Sequence, residues 1–234
     1  MPTNRPLPAA FYRRDTAVVA RALLGCRLTR RLPDGSERSV ILVETEAYLG
    51  VKDRAAHTWN GRRTPRVEPM WGEGGHAYVY FVYGMHFCMN VVTGRAGVPQ
   101  AVLLRAAVTE DLIAEYWKRR TEKEISLKVN RAGRGGDAGP VGSPSSPSKQ
   151  NIFLLSGPAK LCAYLRVTTA LSGASLSGPE LLLSRGSRLP FSVLVGPRVG
   201  VDYAGEAAAW PLRFAVAGCS AVTKAKSLRP FLTS

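Results

Sequence analysis

The nine residues VILVETEAY, Val40 to Tyr48, join an aliphatic run to an alternating pattern. The first four are apolar and mostly β-branched, which favours a β-strand. Because successive side chains of a strand point to opposite faces, Glu44, Glu46 and Tyr48 share one face. A carboxylate beside an aromatic ring is partly desolvated, so its pKa rises toward the range in which it can take a proton from water. The alternative is a solvent-exposed edge strand that carries two glutamates.

A second strand is predicted at residues 77–83, AYVYFVY, where aromatic rings fall on both faces. Only one of these faces can be ordinary core. Gly84 indicates a turn, so residues 85–92 return as the partner strand of a hairpin. Tyr83 then lies near the hairpin tip, where a ring beside a basic surface is suited to wedge between stacked bases. The alternative for Tyr80 is a core tyrosine whose hydroxyl is satisfied.

The remaining elements predict the α+β class. Asp15 is suited to cap a helix that runs to residue 24, with Gly25 as its terminator. A second helix is expected after Ser156, with Pro158 in its first turn. Further strands are predicted at residues 26–32, 37–49, 181–183, 192–195 and 212–217, with a turn at residues 33–36.

A length of 234 residues suits one domain with a sizeable core. Residues 1–14 are expected to be a flexible N-terminal arm, because the first ten carry three prolines and no hydrophobic period. Residues 15–234 are predicted to form a single domain. Inside it, residues 131–150 contain 12 Gly, Pro or Ser in 20 positions, which predicts a flexible surface insertion. No signal peptide and no apolar run of membrane-spanning length are recognisable.

The composition is strongly basic, with 32 Lys and Arg against 17 Asp and Glu and a formal net charge of +15. Such a balance is typical of proteins that bind nucleic acid, including RNA-binding and ribosomal proteins. The four cysteines are widely spaced without a CxxC pair, which predicts reduced thiols in a cytoplasmic protein. The three histidines are scattered as well, so no zinc site is predicted.

Two alternative functions fit parts of these patterns. In the first, Glu44, Glu46 and Asp53 bind Mg²⁺ in a nuclease, since clustered carboxylates near basic loops serve metal-assisted phosphodiester cleavage. In the second, the chain is a non-catalytic nucleic-acid-binding protein that stacks bases on exposed tyrosines, namely Tyr78, Tyr80 and Tyr83.

Nine segments occur in the order and approximate spacing of a known family, with the match running from about residue 15 to 214. They are ARALLG, RRLPDGSE, VETEAYLG, AAHTWNGRRTPR, YVYFVYGMHFCMN, VLLRA, SGPAKLC, PRVGVDYAGE and PLRF. In these segments the chain resembles the alkyladenine (3-methyladenine) DNA glycosylases. The resemblance implies a single-domain fold with a curved, largely antiparallel sheet and peripheral helices. VETEAYLG and YVYFVYGM are the most specific of the segments.

The resemblance also implies a role for individual pocket residues. Glu46 stands at the position of the general base that activates the attacking water, and Arg105 at that of the arginine that helps to hold this water. Tyr48 and His57 would line one face of a flipped base and Tyr80 the other. Asn90 would crowd the 2-amino group of guanine, so that the pocket prefers adenine-like lesions.

Further residues are expected to contact the duplex itself. Tyr83 matches the tyrosine that fills the gap left by the flipped nucleotide, and Met85 and His86 complete the intercalating tip. His86 departs from the pattern, because relatives commonly carry a larger aromatic residue there. The candidates for contacts with the DNA backbone are Arg62, Arg63, Thr64, Arg66 and Lys160, the last near a helix start, where backbone amides can meet a phosphate.

The expected function is that of a monofunctional DNA glycosylase for alkylated or deaminated purines: 3-methyladenine, 7-methylguanine, hypoxanthine and ethenoadenine. It would hydrolyse the N-glycosidic bond with a Glu-activated water and so initiate base excision repair. No cofactor and no metal are expected. Double-stranded DNA with damaged purines is the expected partner of a monomeric enzyme that binds no membrane, in the bacterial cytoplasm at the nucleoid or in a eukaryotic nucleus. Pro2 could become an N-terminal amine nucleophile, but the residues after it do not resemble the enzymes that use one.

Overall fold

The computed structural model describes residues 5–110, 154–186 and 191–231. In this part of the chain ten strands form one sheet, with three short α-helices and several 3-10 turns beside it. The single domain and the α+β class are therefore confirmed. The predicted insertion at residues 131–150 lies outside the described residues. The strands are β1 Arg27–Arg31, β2 Glu37–Tyr48, β3 Ala77–Val82, β4 His86–Thr93, β5 Gln100–Val108, β6 Leu154–Ser156, β7 Leu181–Ser184, β8 Val193–Gly196, β9 Arg213–Val216 and β10 Arg229–Pro230.

Strand β2 is the centre of the sheet. The main strand order is β10-β8-β9-β2-β5-β4-β3, and β1, β6 and β7 attach beside this path. All pairings among the described strands are antiparallel. β2 pairs with β1 along its first half, with β9 at Glu44 to Glu46, and with β5 on its other side. Because β2 is a central strand and both glutamates are fully buried, the interpretation as an exposed edge strand is wrong.

The register places five residues in one row across five strands. Glu46 lies opposite Arg213 on β9 and opposite Leu103 on β5. Leu103 lies opposite Asn90 on β4, which in turn lies opposite Tyr78 on β3. Side chains directly opposite each other in an antiparallel pair point to the same face of the sheet. This row therefore runs along one face of the sheet and carries the polar and aromatic residues.

The other face of the sheet carries the main hydrophobic core. Val79, Met89 and Leu104 point into it and pack with the helices. Helix α2, Thr16–Ala22, begins as predicted at Asp15, whose carboxylate accepts hydrogen bonds from the backbone N–H groups of residues 17 and 18. Thr45 Oγ1 donates a 2.8 Å hydrogen bond to the Ala20 carbonyl, which fixes α2 against β2.

The helix expected after Ser156 is also present, as α3, Pro158–Tyr164, with Pro158 in its first turn. Leu161 and Leu165 are buried on one side of it. It packs mainly against β4 and β5. No helix among the described residues is long and apolar enough to cross a membrane.

The described part of the N-terminal arm is packed, which differs from the expectation for residues 1–14. Leu7 is buried and its N–H donates a 2.9 Å hydrogen bond to the Leu183 carbonyl. Helix α1, Ala9–Tyr12, then places the Tyr12 ring in the core. The prolines suggested a loose segment, but the buried side chains of Leu7 and Tyr12 anchor it to the core.

The predicted hairpin is confirmed, with β3 and β4 paired from Ala77 and Val91 to Val82 and His86. The Met85 N–H donates a 3.2 Å hydrogen bond to the Val82 carbonyl and closes the turn. Both residues between them have positive φ, +51° at Tyr83 and +70° at Gly84. This is the sign pattern of a type I′ turn, in which a glycine is usual and a tyrosine is strained.

Candidate active site

A cavity of about 290 Å³ opens on the polar face of the sheet. Strands β2 to β5 contribute to its lining, as do the segment between β2 and β3, the turn between β3 and β4, and the segments that follow β6 and β8. The side chains that line it are mostly aromatic or apolar, with two arginines and one amide, which is typical of a pocket for a small aromatic ligand. The lining includes Tyr48, His57, Arg66, Met70, Tyr78, Tyr80, Tyr83, Cys88, Asn90, Leu103, Arg105, Pro158, Val199 and Tyr203.

Glu46 lies directly behind this lining and is fully buried. Its Oε2 accepts a 2.8 Å hydrogen bond from the Tyr48 hydroxyl, and its Oε1 accepts one of 2.8 Å from the Val199 N–H. Arg105 Nη1 lies 3.4 Å from the same Oε1. All three partners line the cavity, so the carboxylate is one contact away from it.

Burial raises the pKa of Glu46, while Arg105, the Val199 N–H and the Tyr48 hydroxyl act in the opposite direction. Burial and the neighbouring Glu46 raise the pKa of Tyr48 well above its ordinary value, so its hydroxyl stays a proton donor. A carboxylate with a raised pKa takes up a proton more readily, which is a property of a general base.

The aromatic wall contains three rings that contact one another. His57 and Tyr80 meet edge to face with ring centroids 4.6 Å apart, and the Tyr78 ring lies 5.4 Å from that of Tyr80. His57 Nδ1 and the Tyr78 hydroxyl form a 2.9 Å hydrogen bond. Burial, with Arg66 and Arg62 nearby, lowers the pKa of His57 to about 4, so the ring is neutral at physiological pH. A neutral, uncharged wall is suited to stack against a purine.

Asn90 is buried at the bottom of the cavity. Its Nδ2 donates a 3.2 Å hydrogen bond to the backbone carbonyl of Tyr78, its partner across the strand pair. The amide is thus held in one place by the sheet.

The three carboxylates of the magnesium alternative are engaged by arginines. Glu44 forms ion pairs with Arg105 and Arg213, at 3.0 and 3.2 Å. Asp53 holds Arg198, with Nη2 and Oδ1 2.9 Å apart. Within residues 5–110, 154–186 and 191–231, no group of three His, Cys, Asp or Glu side chains is placed to hold a metal ion.

The hairpin tip projects from the rim of the cavity. Tyr83 is 88% exposed and Met85 is 67% exposed, and His86 beside them is exposed as well. Exposed apolar side chains and a strained backbone both reduce stability, and they are frequent at binding sites. Tyr83 also lines the mouth of the cavity, so the tip and the pocket are continuous.

The candidates for contacts with the DNA backbone differ in their exposure and in whether they already contact other side chains. Arg62 is exposed and has no ion pair in the described part of the chain. Arg63 forms an ion pair with Glu68 and lies over the Trp71 ring. Arg66 lies over the Tyr80 ring, 5.4 Å from its centroid, and lines the cavity. Thr64 is partly buried in the same loop, and Lys160 is exposed on α3.

Several residues of the site were not assigned a role from sequence. Val199 and Tyr203 line the cavity, and Arg198 lies against the Tyr48 ring with its guanidinium carbon 4.7 Å from the centroid. All three belong to PRVGVDYAGE, a segment that carried the resemblance without any assigned residue. Cys88 also lines the cavity, and all four cysteines are buried free thiols, as predicted.

Comparison with known proteins identifies the family of this chain. Residues 10–220 match the family model described as methylpurine-DNA glycosylase. A protein of Desulfitobacterium hafniense is 41% identical over 204 residues, which cover 87% of this chain and 91% of that protein. One from Bacillus cereus strain B4264 is 40% identical over 93% of this chain and 98% of its own length. One from Clostridium acetobutylicum is 38% identical over 92% and 96%.

All three relatives are named as proposed 3-methyladenine DNA glycosylases. The family match covers the strands that form the cavity, the hairpin tip and the Val199 segment. The chain therefore belongs to the methylpurine-DNA glycosylase family and is an N-glycosyl hydrolase of DNA repair.

Proposed function

We propose that this DNA glycosylase removes alkylated and deaminated purines from double-stranded DNA as a monomer, with a water activated by Glu46. The substrate class is 3-methyladenine, 7-methylguanine, hypoxanthine and ethenoadenine. The enzyme is monofunctional: it leaves an intact abasic site for the later steps of base excision repair. In a bacterium it would act on the nucleoid in the cytoplasm.

The observation that carries this proposal is the position of Glu46. Its carboxylate is buried behind the aromatic pocket and bound by Tyr48, Val199 and Arg105, which all line that pocket. Each carboxylate oxygen has about two acceptor positions. Oε2 accepts one hydrogen bond from the described residues and so has the capacity to accept another from the attacking water of the proposed reaction.

The chemistry follows from this arrangement. As the glycosidic bond breaks, its electron pair leaves with the base and the sugar becomes an oxocarbenium-like cation. A nearby carboxylate stabilises that cation and removes a proton from the water that attacks C1′. A cationic alkylated purine is the better leaving group, and stacking on the tyrosine rings favours it by about 0.5 to 2 kcal/mol per contact.

Access to the bond requires extrusion of the nucleotide, which costs a few kcal/mol and is cheapest at a damaged pair. Tyr83, with Met85 and His86 beside it, occupies the gap in the duplex. The extruded purine lies between the Tyr48 ring on one side and the contacting His57 and Tyr80 rings on the other. His57 therefore belongs with Tyr80, which corrects the expectation from sequence that it shares the side of Tyr48. Asn90 at the bottom crowds the 2-amino group of a normal guanine.

The proposal is tested by Glu46→Gln on duplexes that each carry one defined lesion, with alkali added afterwards to reveal abasic sites. The variant is expected to lose base release by at least 1,000-fold and to retain lesion binding. Glu37→Gln, at the exposed start of the same strand, is the matched control and should behave as the wild type.

Four outcomes would contradict the proposal. Base release that persists in Glu46→Gln would remove this residue from the reaction, and a wild type that binds lesions but releases none would be a binding protein. Loss of activity in EDTA would favour the metal alternative. A covalent protein–DNA adduct trapped by borohydride would show a bifunctional enzyme.

A further inference from the structure

We infer that Glu44 is a positioning residue, which holds Arg105 so that the guanidinium supports Glu46 without neutralising it. This inference rests on the proposed role of Glu46 as the general base. Glu44 contributes nothing to the lining of the cavity, so it acts only through its neighbour.

Arg105 is shared between the two glutamates, but its contacts are unequal. Its Nε donates a 3.0 Å hydrogen bond to Glu44 Oε1, and its Nη2 donates one of 3.2 Å to Thr223 Oγ1. The contact of Nη1 with Glu46 is longer, at 3.4 Å. The planar guanidinium is therefore oriented from the Glu44 side.

Glu44 is itself fixed by the C-terminal part of the chain. Its Oε2 accepts a 2.9 Å hydrogen bond from the Thr223 N–H, and its Oε1 accepts one of 2.9 Å from Thr223 Oγ1. Arg213 Nη1 lies 3.2 Å from Oε1 and also donates to the Thr223 carbonyl at 2.9 Å. Glu44 and Arg213 are both fully buried. A carboxylate held this tightly is a rigid support.

The backbone is irregular at the same point. The pairing of β2 with β5 is regular before and after Glu44, but its register shifts at Glu44, which pairs with Ala106. Such irregularities re-aim side chains and are frequent next to active sites. Here the irregularity brings Glu44 and Arg105 side by side.

The charges of this cluster balance. Two carboxylates, Glu44 and Glu46, face two guanidiniums, Arg105 and Arg213, in a buried region where an unpaired charge is costly. If Glu44 is neutralised, Arg105 has only Glu46 left as an acidic partner and moves toward it. The general base then becomes less basic, because an adjacent cation stabilises its charged form.

Other groups that face Glu46 do not change in this substitution. They are Tyr48 on β2, the Val199 N–H, and more distantly Tyr80 on β3 and Cys88 on β4. Glu44 raises the pKa of Glu46 and Arg105 lowers it. Loss of Glu44 and closer approach of Arg105 therefore both lower the pKa of Glu46.

The test is the pH dependence of the single-turnover excision rate of Glu44→Gln, measured with enzyme in excess over a 3-methyladenine or hypoxanthine duplex. At pH values below the pKa of Glu46 the base is protonated and the rate falls. This acid limb of the pH profile is expected to move to lower pH by roughly 0.5 to 1 unit. The plateau rate should fall about 10-fold, and the Kd for lesion DNA should change less than twofold. Glu37→Gln, which neutralises an exposed carboxylate at the start of the same strand, is the control and should leave the limb in place.

A second variant keeps the inference testable if Glu44→Gln does not fold. Glu44→Gln combined with Arg105→Gln retains a balanced cluster, because Glu46 and Arg213 remain. If Glu44 acts through Arg105, the double variant is no slower than Arg105→Gln alone. An unmoved acid limb in Glu44→Gln, or a further 10-fold loss in the double variant, would overturn the inference.

These failures differ from failure of the proposed function. If Glu46→Gln abolishes base release and the limb of Glu44→Gln is unmoved, the general base stands and only the support by Glu44 is wrong. If the wild type releases no base, both are wrong.

Discussion

The Tyr48 hydroxyl donates a 2.8 Å hydrogen bond to Glu46 Oε2, two residues away on the same face of β2. One side chain thus lines the pocket with its ring and contacts the buried carboxylate with its hydroxyl. The ring and the hydroxyl of Tyr48 can be separated by substitution.

Tyr48→Phe retains the ring and removes this hydrogen bond. The bond favours the charged carboxylate, so its loss raises the pKa of Glu46, and the acid limb of the excision rate moves to higher pH. A hydrogen bond to a charged group contributes about 1.5 to 3 kcal/mol, so the shift is expected to reach roughly one pH unit. Single-turnover rates between pH 5 and 9 measure it. A limb that moves to lower pH would contradict the assignment.

Asn90→Ser should relax discrimination at the bottom of the pocket. The shorter side chain loses the hydrogen bond to the Tyr78 carbonyl and leaves room for a 2-amino group. We expect excision of 7-methylguanine, and slow excision of normal guanine, to rise by about 10-fold relative to 3-methyladenine, since one small steric change alters selectivity by 1 to 3 kcal/mol. Competition between lesions in one reaction gives the ratio directly. An unchanged ratio would show that Asn90 does not select.

Tyr83→Gly separates stability from function at the hairpin tip. Tyr83 has a φ of +51°, which glycine adopts without strain, so the free energy of unfolding should be unchanged or higher by up to about 1 kcal/mol. Excision from duplex DNA should nevertheless fall 10-fold or more, because the gap is no longer filled. Excision from a single strand, which has no gap to fill, is the internal control and should change little.

Arg62→Gln and Arg63→Gln form a matched pair of neighbours. Arg62 is exposed, whereas Arg63 is engaged by Glu68 and the Trp71 ring. We expect Arg62→Gln to weaken DNA binding on all sequences and to lower the slope of log K against log salt by about one. Arg63→Gln should have a smaller effect on binding. Equal slopes for both variants would argue against a phosphate contact by Arg62.

Asp53→Asn should lower the free energy of unfolding, because it breaks the buried ion pair with Arg198 beside Tyr48. Asp53 holds the buried Arg198, which lies against the Tyr48 ring, and loss of one partner of a buried pair costs about 3 to 5 kcal/mol. Asp202→Asn, at an exposed position, is the control and should stay within about 0.5 kcal/mol of the wild type. Chemical denaturation measures both. A loss in Asp53→Asn as small as in the control would mean that the pair is dispensable.

Local patterns predicted much of this structure. Period two placed Glu46 with Tyr48, Asp15 marked the start of α2, and Gly84 marked the turn at the hairpin tip. Each of these signals lies within a few residues of the element that it predicts, because strand alternation, helix capping and turn formation depend on interactions between neighbouring residues.

Contacts between distant segments could not be predicted in the same way. Val199 reaches Glu46 across 153 positions, and Thr223 reaches Glu44 across 179. Glu44, Glu46 and Asp53 were close enough in sequence to suggest one metal site. In the fold Glu44 and Glu46 share Arg105, whereas Asp53 pairs with Arg198, and no local pattern specifies these partners.

The row from Arg213 through Glu46, Leu103 and Asn90 to Tyr78 fixes the width of the pocket floor, which Leu103, Asn90 and Tyr78 line. Each step is one strand spacing of about 4.8 Å, set by backbone hydrogen bonds that do not stretch. The floor therefore cannot widen to admit a larger base. A pocket for other lesions would therefore require substitutions of single side chains in this row, while the spacing between the strands stays the same.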